Sequence, residues 1–488
     1  MSKDAGHPSK AQATYPKTRW WPASSGPVEK VVVLRGARFL DGVMQTKREP
    51  MGYGMMLLPS LEALIPRDHR LYKLNRVVDL SFVHEAVRDR YCQDNGRPSV
   101  DPEVVIRLFV IAAIEGIRSV RELMREVQVN LAYRWFIGYR LDEALPDHST
   151  LSRSLDRIGD AVFNELFERS ITQCQQSGLI EGKVLHLDAT TIRADLDVDR
   201  VAKPDSPDPD ARFGRFPDGK KRPGYKQQTV ADGRSRVVVG VSVQPANRPD
   251  DTGMAAIVDG VIDRLGHVPE AVCADTAYGS GKNCTSMEAR GIRLVSPPPP
   301  IGGASDKFFT VEAFIYDESR DEFICPAKKT LKFVGFDTTR PGRRKYCAWR
   351  SHCRTCELKD RCTRSDRRMI KVSSHHGALV RLRADSRTEN FREVYRSRAP
   401  VIEGVFAEAK QWHGLARARW RGLTKMRVQC LLIAAVINLK RLAAAFLRLL
   451  WSLEVILTFL RRFLDVLRRR WQNIFTPHHR RRIFYMTP

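Results

Sequence analysis

Acidic residues are scarce in this chain relative to basic ones: 56 Asp and Glu stand against 82 Lys and Arg, a net charge of +26. That shortage argues against a polycationic partner and for a polyanionic one, because neutralising phosphates releases condensed counterions. Long uncharged apolar runs are also missing. The most apolar stretch, "VQCLLIAAVINLKRLAAAFLRLLWSLEVILTFL", is broken by Lys440, Arg441, Arg448 and Glu454 before it reaches the ~20 residues of a bilayer span. It reads as a core helix followed by an amphipathic one. The first residues, "MSKDAGHPSKAQATYPKTRWWPASSGP", show no apolar segment after their charges, so a secretory signal is not expected. A cytoplasmic protein without a membrane partner follows. Ten cysteines in 488 residues, with no such signal, do not point to a disulfide scaffold.

What is present divides the chain into five parts. Residues 1–54 mix Pro, Gly, Ser and cations without periodicity and are expected to be a disordered or spurious extension, with Met51, Met55 or Met56 as alternative starts. Residues 55–178 carry a helical pattern. Pro102 suits the first turn of an apolar helix in "DPEVVIRLFVIAAIEG", and "GIRS" forms a short turn. Ser119 can cap "VRELMREV", whose Val120, Leu123, Met124 and Val127 share one face. The pair resembles a helix-turn-helix with Arg118, Arg121 and Arg125 available to phosphates, although helical hairpins that never touch DNA share the spacing. Another helix is expected from "PDHSTLSRSLDRIG", capped by Asp147 or Ser149.

Residues 179–305 and 385–445 read as an α/β core with a mixed sheet. Its strands are "KVLHLD", "RVVVGVSV", "EAVCAD" and "IRLV", with the helix "DTGMAAIVDGVIDRLG" among them and a long polar loop over residues 201–228. Residues 306–384 form a Cys-rich insertion. The remainder, 446–488, is a basic helical tail in which "LRRFLDVLRRRWQNIFTPHHRRR" is equally consistent with phosphate binding and with a solvated charged face.

Three carboxylates carry the chemistry. Asp188 and Asp275 each follow an apolar strand, and neighbouring strand ends meet at one sheet edge, where ligands bind. Such a pair makes a hard oxygen site suited to Mg²⁺ or Mn²⁺. Either aspartate alone is equally the residue that caps a helix or opens a turn. Pro400 suits a helical first turn in "YRSRAPVIEGVFAEAKQWHG", which would put Glu403 and Lys410 on one face beside Phe406. Glu408 would point away from that face, and Asp195 and Asp197 are weaker rivals to Asp188.

From about Met55 to Leu442 the chain resembles DDE transposases of bacterial insertion sequences, nearest an insertion sequence 1182-like group. The resemblance runs through "PRDHRLYKLNRVVD", "GRPSVDPEVVIRLFVIAAIEGIRSVRELMREVQVNLAYRWFIGY", "PDHSTLSRSLDRI", "LDATTIRAD", "GYKQQTVAD", "ADTAYGSGKN" and "YRSRAPVIEGVFAEAKQWHGLARARWRGLTKMR". It implies a ribonuclease H-like catalytic core in which Asp188, Asp275 and Glu403 hold two metal ions. It also implies that Tyr395, Arg398 and Lys410 hold the transposon end. Related insertion-sequence families have three residues between this arginine and the glutamate, whereas "RAPVIE" has four. The expected partners are terminal inverted repeats and target DNA, bound by a homodimer. A catalytically inactive DNA-binding relic, or a metal-dependent nuclease without strand transfer, remains open.

The cysteines form a second pattern. Cys325, Cys347, Cys353, Cys356 and Cys362 fall within 38 residues, including a C-x-x-C pair. Cys325, Cys353, Cys356 and Cys362 fit a closed structural Zn²⁺ site, with Cys347 or His352 as substitutes; unmetallated thiols are the other reading.

Overall fold

The computed structural model describes residues 60–91, 99–300 and 307–475, so the expected extension and the last residues of the tail lie outside the described residues. Helix starts follow their local caps. Asp101 accepts from the Glu103 amide and opens Pro102–Ile114, a helix buried over most of its surface. Ser119 accepts from Glu122 and opens Val120–Val129, with Leu123 and Val127 buried. Asp147, one of the two expected caps, accepts from Ser149 and opens His148–Gln176. Each such cap satisfies an amide that the first helical turn leaves without a partner, worth about 1 kcal/mol.

The last of these helices is broken at Gly159, whose φ of +72° lies in the left-handed region. Arg90 reaches into the break and donates to the carbonyls of Arg157 at 3.1 Å and Ile158 at 2.6 Å. The positive φ disfavours any side chain at residue 159, and a Cβ there would also displace that guanidinium.

The central sheet contains β1 (Val184–Arg193), β2 (Arg212–Arg215), β3 (Lys221–Asp232), β4 (Val238–Pro245), β5 (Ala271–Ala274) and β6 (Arg293–Val295). β3 pairs antiparallel with β1 on one edge; on its other edge it pairs antiparallel with β2 and then β4. β5 and β6 extend the sheet in parallel beyond β1. The helix Met254–Leu265 connects β4 to β5, and Gly281–Glu288 connects β5 to β6. The architecture is mixed α/β with a helical N-terminal region.

Two expectations change. The polar stretch 201–228 is not one loop: β2 and most of β3 lie in it, because β3 buries Tyr225, Gln227, Gln228 and Thr229 against neighbouring elements. β1 does not end at Asp188. β3 keeps pairing with it as far as Arg193, so Asp188 sits in mid-strand opposite Thr229.

A second, antiparallel sheet lies in the Cys-rich segment: β7 (Ile315–Asp317), β8 (Glu322–Ile324), β9 (Thr330–Phe336), β10 (Arg343–Ala348) and β11 (Met369–Ser373), ordered as a meander. Its own small core contains Phe314, Phe323, Leu331, Tyr346, Ile370 and Val372.

The apolar C-terminal stretch forms one 53-residue helix, Leu423–Phe475. Its segment Leu423–Arg448 is long and apolar enough to cross a bilayer, yet that segment is mostly buried inside the protein. It packs on His148–Gln176, Pro102–Ile114 and β4. Asn438, fully buried, accepts from the Val238 amide at 2.8 Å and donates to the Val238 carbonyl at 2.8 Å and Ser170 Oγ at 3.2 Å. It thereby completes the hydrogen bonds of β4 beside the place where the β3–β4 register shifts.

Candidate active site

Register brings the first two carboxylates together. In the parallel pair, Leu187 lies opposite Ala274, and Ala274 ends β5. The next residue on each strand is an aspartate, so Asp188 and Asp275 are neighbours at the carboxyl end of β5. Asp188 Oδ1 accepts from the Ala189 amide at 2.7 Å. Asp275 Oδ1 accepts from the Ala277 amide at 3.1 Å and caps the 3₁₀ turn Thr276–Tyr278. Asp275 therefore does what a turn-opening aspartate does and still lies close enough to Asp188 to repel its charge.

Burial sets their proton affinity. It pushes the Asp188 carboxyl up from 3.8 to about 6 against the opposing pull of Arg398, and Asp275 and Asp250 add repulsion. Asp275 is also raised, chiefly by burial, again with Arg398 pulling it down and Asp250 pushing it up. Two desolvated carboxylates side by side are short of positive charge.

The third element supplies it. Helix Glu389–Arg396 leads into a π-helical turn, Ala399–Glu403, and then helix Gly404–Trp412. Pro400 thus lies in a π turn, where an ordinary α-helical first turn was expected. A π turn takes up one residue more than an α turn, which absorbs the fourth residue between Arg398 and Glu403. Arg398 Nη2 donates to Asp188 Oδ2 at 2.7 Å, and its Nη1 lies 3.4 Å from Glu403 Oε1. The Arg398 side chain is mostly covered, whereas Glu403 is mostly exposed. Lys410 is half-buried, and burial lowers its proton affinity while Asp188 raises it. Burial raises the Tyr395 hydroxyl; Arg398 opposes this, and Cys273, Asp275 and Asp188 reinforce it. Asp188, Asp275, Tyr395, Arg398 and Lys410 thus form one electrostatically coupled group, joined to Glu403 through Arg398.

Among the described residues, no three His, Cys, Asp or Glu side chains are placed together as a ready metal site. The donor chemistry nevertheless fits divalent ions: Asp188 and Asp275 are adjacent hard oxygen donors in a desolvated setting, with Glu403 linked to them through one guanidinium.

Glu408 is engaged elsewhere, bound by Lys440 at 2.6 Å and Arg441 at 3.0 Å, as its orientation away from Glu403 requires. Asp195 and Asp197 are exposed beyond the end of β1. Arg121 and Arg125 line a separate open cleft of 740 Å³ with Met124, Gln128 and His148, and Arg118 is exposed in the preceding turn. Arg121 Nε donates to His148 Nε2 at 3.0 Å.

Sequence reasoning missed Gln228, Asp250 and Tyr278. Gln228, paired with Ala189 in the β1–β3 register, is buried and donates to the carbonyls of Asp250 at 2.6 Å and Thr252 at 2.9 Å. Its amide also lies 3.5 Å from the Tyr278 hydroxyl. The same buried hydroxyl is raised by burial and then by Asp188, Asp250 and Asp275. Gln228 therefore ties the loop after β4 and the turn after Asp275 to the strand beside Asp188. Asp232-Gly233, where β3 ends and the turn to β4 begins, was the local signal that could have revealed this hairpin.

The helical region meets the site from behind. His413 Nδ1 lies 2.8 Å from the Ala113 carbonyl and Arg419 donates to the Ala112 carbonyl at 3.2 Å, satisfying the end of helix Pro102–Ile114. Gly116, at φ +67°, lets its turn approach the Trp412 carbonyl, where a Cβ would stand 2.8 Å away. The turn before Val120–Val129 is thus fixed to the end of the helix that carries Lys410.

Two family models match this chain: a transposase domain (DUF772) over residues 59–157 and a transposase DDE domain over residues 324–443. They support a DDE-type transposase. The DDE match spans Arg398, Glu403, Lys410 and the cysteine cluster; Asp188 and Asp275 lie outside it and rest on the geometry above. No curated protein matches the chain. The piggyBac transposase synaptic complex with hairpin DNA aligns over 83% of this chain and 83% of that one, at 11% identity and a TM-score of 0.30. The Mos1 transposase paired-end complex with left transposon end aligns over 42% and 61%, at 12% identity and 0.15. At these scores neither alignment carries an argument about the fold.

Proposed function

We propose that this chain is a metal-dependent DNA transposase that binds the terminal inverted repeats of its own insertion sequence, cleaves there and joins the ends to target DNA. The observation that carries this reading is the Leu187–Ala274 register, which sets Asp188 beside Asp275 while Arg398 links Asp188 to Glu403. Three features support a ribonuclease H-like core. The strand order is β4-β3-β1-β5-β6, the first three strands are antiparallel, and the last two run parallel to β1.

Asp188, Asp275 and Glu403 would hold two Mg²⁺ or Mn²⁺ ions, which when bound supply an activated nucleophile and charge stabilisation at the leaving oxygen. The chain's own cations do the rest. Lys410, desolvated beside Asp188, orients a phosphate. Arg398 exchanges its carboxylate partner for a phosphate when DNA arrives, since a guanidinium binds both bidentately. Arg118, Arg121 and Arg125 hold duplex phosphates away from the chemistry, positioning without reading sequence. Cleavage at two ends calls for a homodimer on DNA.

The test is cleavage and joining of labelled DNA bearing the element's ends, with Mg²⁺ or Mn²⁺, by the parent and by Asp188→Asn, Asp275→Asn and Glu403→Gln. Metal-dependent nicking at the boundary, lost in every variant while DNA binding persists, is expected. Binding without cutting by the parent would mark a DNA-binding relic, and cutting without joined products a nuclease.

A further inference from the structure

The small sheet β7–β11 has too few buried side chains to be held by its own core alone, and units of that size commonly use a covalent or metal staple. Cys325, Cys353 and Cys362 pack, partly buried, against this core. They arrive from different elements: Cys325 from the β8–β9 turn, Cys353 from helix Arg350–Arg354, and Cys362 from the end of helix Lys359–Cys362. Cys356 lies between the last two, and all four are free thiols.

The chain around Cys325 forms a tight turn that brings a backbone N–H to its sulfur. The Cys325 amide donates to the Lys329 carbonyl at 2.8 Å, and the Lys328 amide donates to the Cys325 carbonyl at 2.7 Å. Lys328 adopts a φ of +56°, and the Lys329 amide is aimed at Cys325 Sγ, 3.3 Å away. Cys362 is held beside Arg368, whose Nη1 donates to the Cys362 carbonyl at 2.6 Å. Cys347 does not belong to this group. It is buried in β10 opposite Met369 and Lys332.

We infer that Cys325, Cys353, Cys356 and Cys362 form a closed structural Zn²⁺ site. As placed, the four sulfurs are not arranged as a ready site; closing four zinc–thiolate bonds of ~2.3 Å requires them to reorient when the ion binds. Binding releases the four thiol protons to solvent, and four thiolates leave no open position, so the ion acts in folding alone. It would fasten the β8–β9 hairpin to the 350–368 segment, whose Arg361 lies over Phe309 and Arg368 over Phe314. The inference does not rest on the catalytic reading.

The experiment uses the full chain, purified without chelator. Zinc analysis should find about one Zn²⁺ per chain in the parent and in Asp188→Asn, as expected for one four-thiolate site. Co²⁺ exchanged into the site should show thiolate-to-metal charge transfer and the visible bands of a tetrahedral ion. Cys353→Ser and Cys362→Ser should bind zinc at least about tenfold more weakly, a loss expected when a ligand is removed, while Cys347→Ser keeps it. A metal-free parent that gives no thiolate–cobalt band overturns the inference even if the serine variants misfold. So does zinc retained by both Cys353→Ser and Cys362→Ser.

Discussion

Arg398 donates to Asp188 at 2.7 Å across 210 residues of sequence, and the same guanidinium reaches toward Glu403 at 3.4 Å. In the DNA-free protein it is a cation competing for the carboxylates that are proposed to hold metal. Arg398→Gln should therefore bind Mn²⁺ about three- to tenfold more tightly in the absence of DNA, because one competing charge is gone. DNA cleavage should fall in the same variant, since a phosphate ligand is lost. Calorimetry measures the first effect, and weaker Mn²⁺ binding by Arg398→Gln would contradict competition.

The raised Asp188 carboxyl makes a pH prediction. Its folded value of about 6 lies above the ordinary 3.8, so between those values the folded state holds more protons than the unfolded. Stability from this group is present at low pH and lost as pH rises toward 6. Asp188→Asn, which mimics the protonated form, should be more stable than the parent by about 1–3 kcal/mol at neutral pH without metal. The difference should vanish near pH 4. Denaturation midpoints of both proteins across this range decide it, and a difference independent of pH would refute the assignment.

Gln228 should act through position. Gln228→Leu leaves the Asp250 and Thr252 carbonyls without their donor, a loss of about 1–3 kcal/mol. It also releases the turn that follows Asp275. The metal concentration for half-maximal cleavage should rise together with the loss of stability, while Gln228→Asn, still a donor on a shorter arm, recovers part of both. Lower stability with unchanged metal dependence would leave Gln228 a packing residue only.

How much of this was readable is itself a matter of range. Pro102, Ser119 and Asp147 announced their helices because a first-turn proline and a cap both act within two or three residues. Strands β1, β5 and β6 were visible as apolar runs. β3 was hidden because its buried residues include Gln227, Gln228 and Thr229, and polar burial depends on partners far along the chain. Asp188 and Asp275 were individually ambiguous; only the parallel register makes them neighbours. The π turn was legible solely as one residue too many between Arg398 and Glu403, and the contact that explains it is tertiary.

The cleft beside Val120–Val129 makes a prediction about salt. Arg121 and Arg125 line it, and every phosphate contact removed should reduce the slope of log affinity against log salt by roughly 0.9. Arg121→Ala with Arg125→Ala should flatten that slope by about 1 to 2 and weaken matched and scrambled duplexes alike. Binding isotherms at several salt concentrations measure it. An unchanged slope would move the duplex to another face.

Asn438 sits where the C-terminal helix replaces a strand neighbour. Its amide accepts from and donates to the same residue of β4, Val238, and also donates to Ser170 on helix His148–Gln176. Asn438→Leu fits the apolar surroundings in size yet strands the Val238 amide and carbonyl in a dry interior, so shape is kept while satisfaction is lost. A destabilisation of about 2–4 kcal/mol is expected from two buried backbone groups left unpaired. Asn438→Asp should be worse still, because it keeps the acceptor for the Val238 amide but meets the Val238 carbonyl with a negative charge. Chemical denaturation orders the three proteins, and a leucine variant as stable as the parent would show that water reaches β4 at this point.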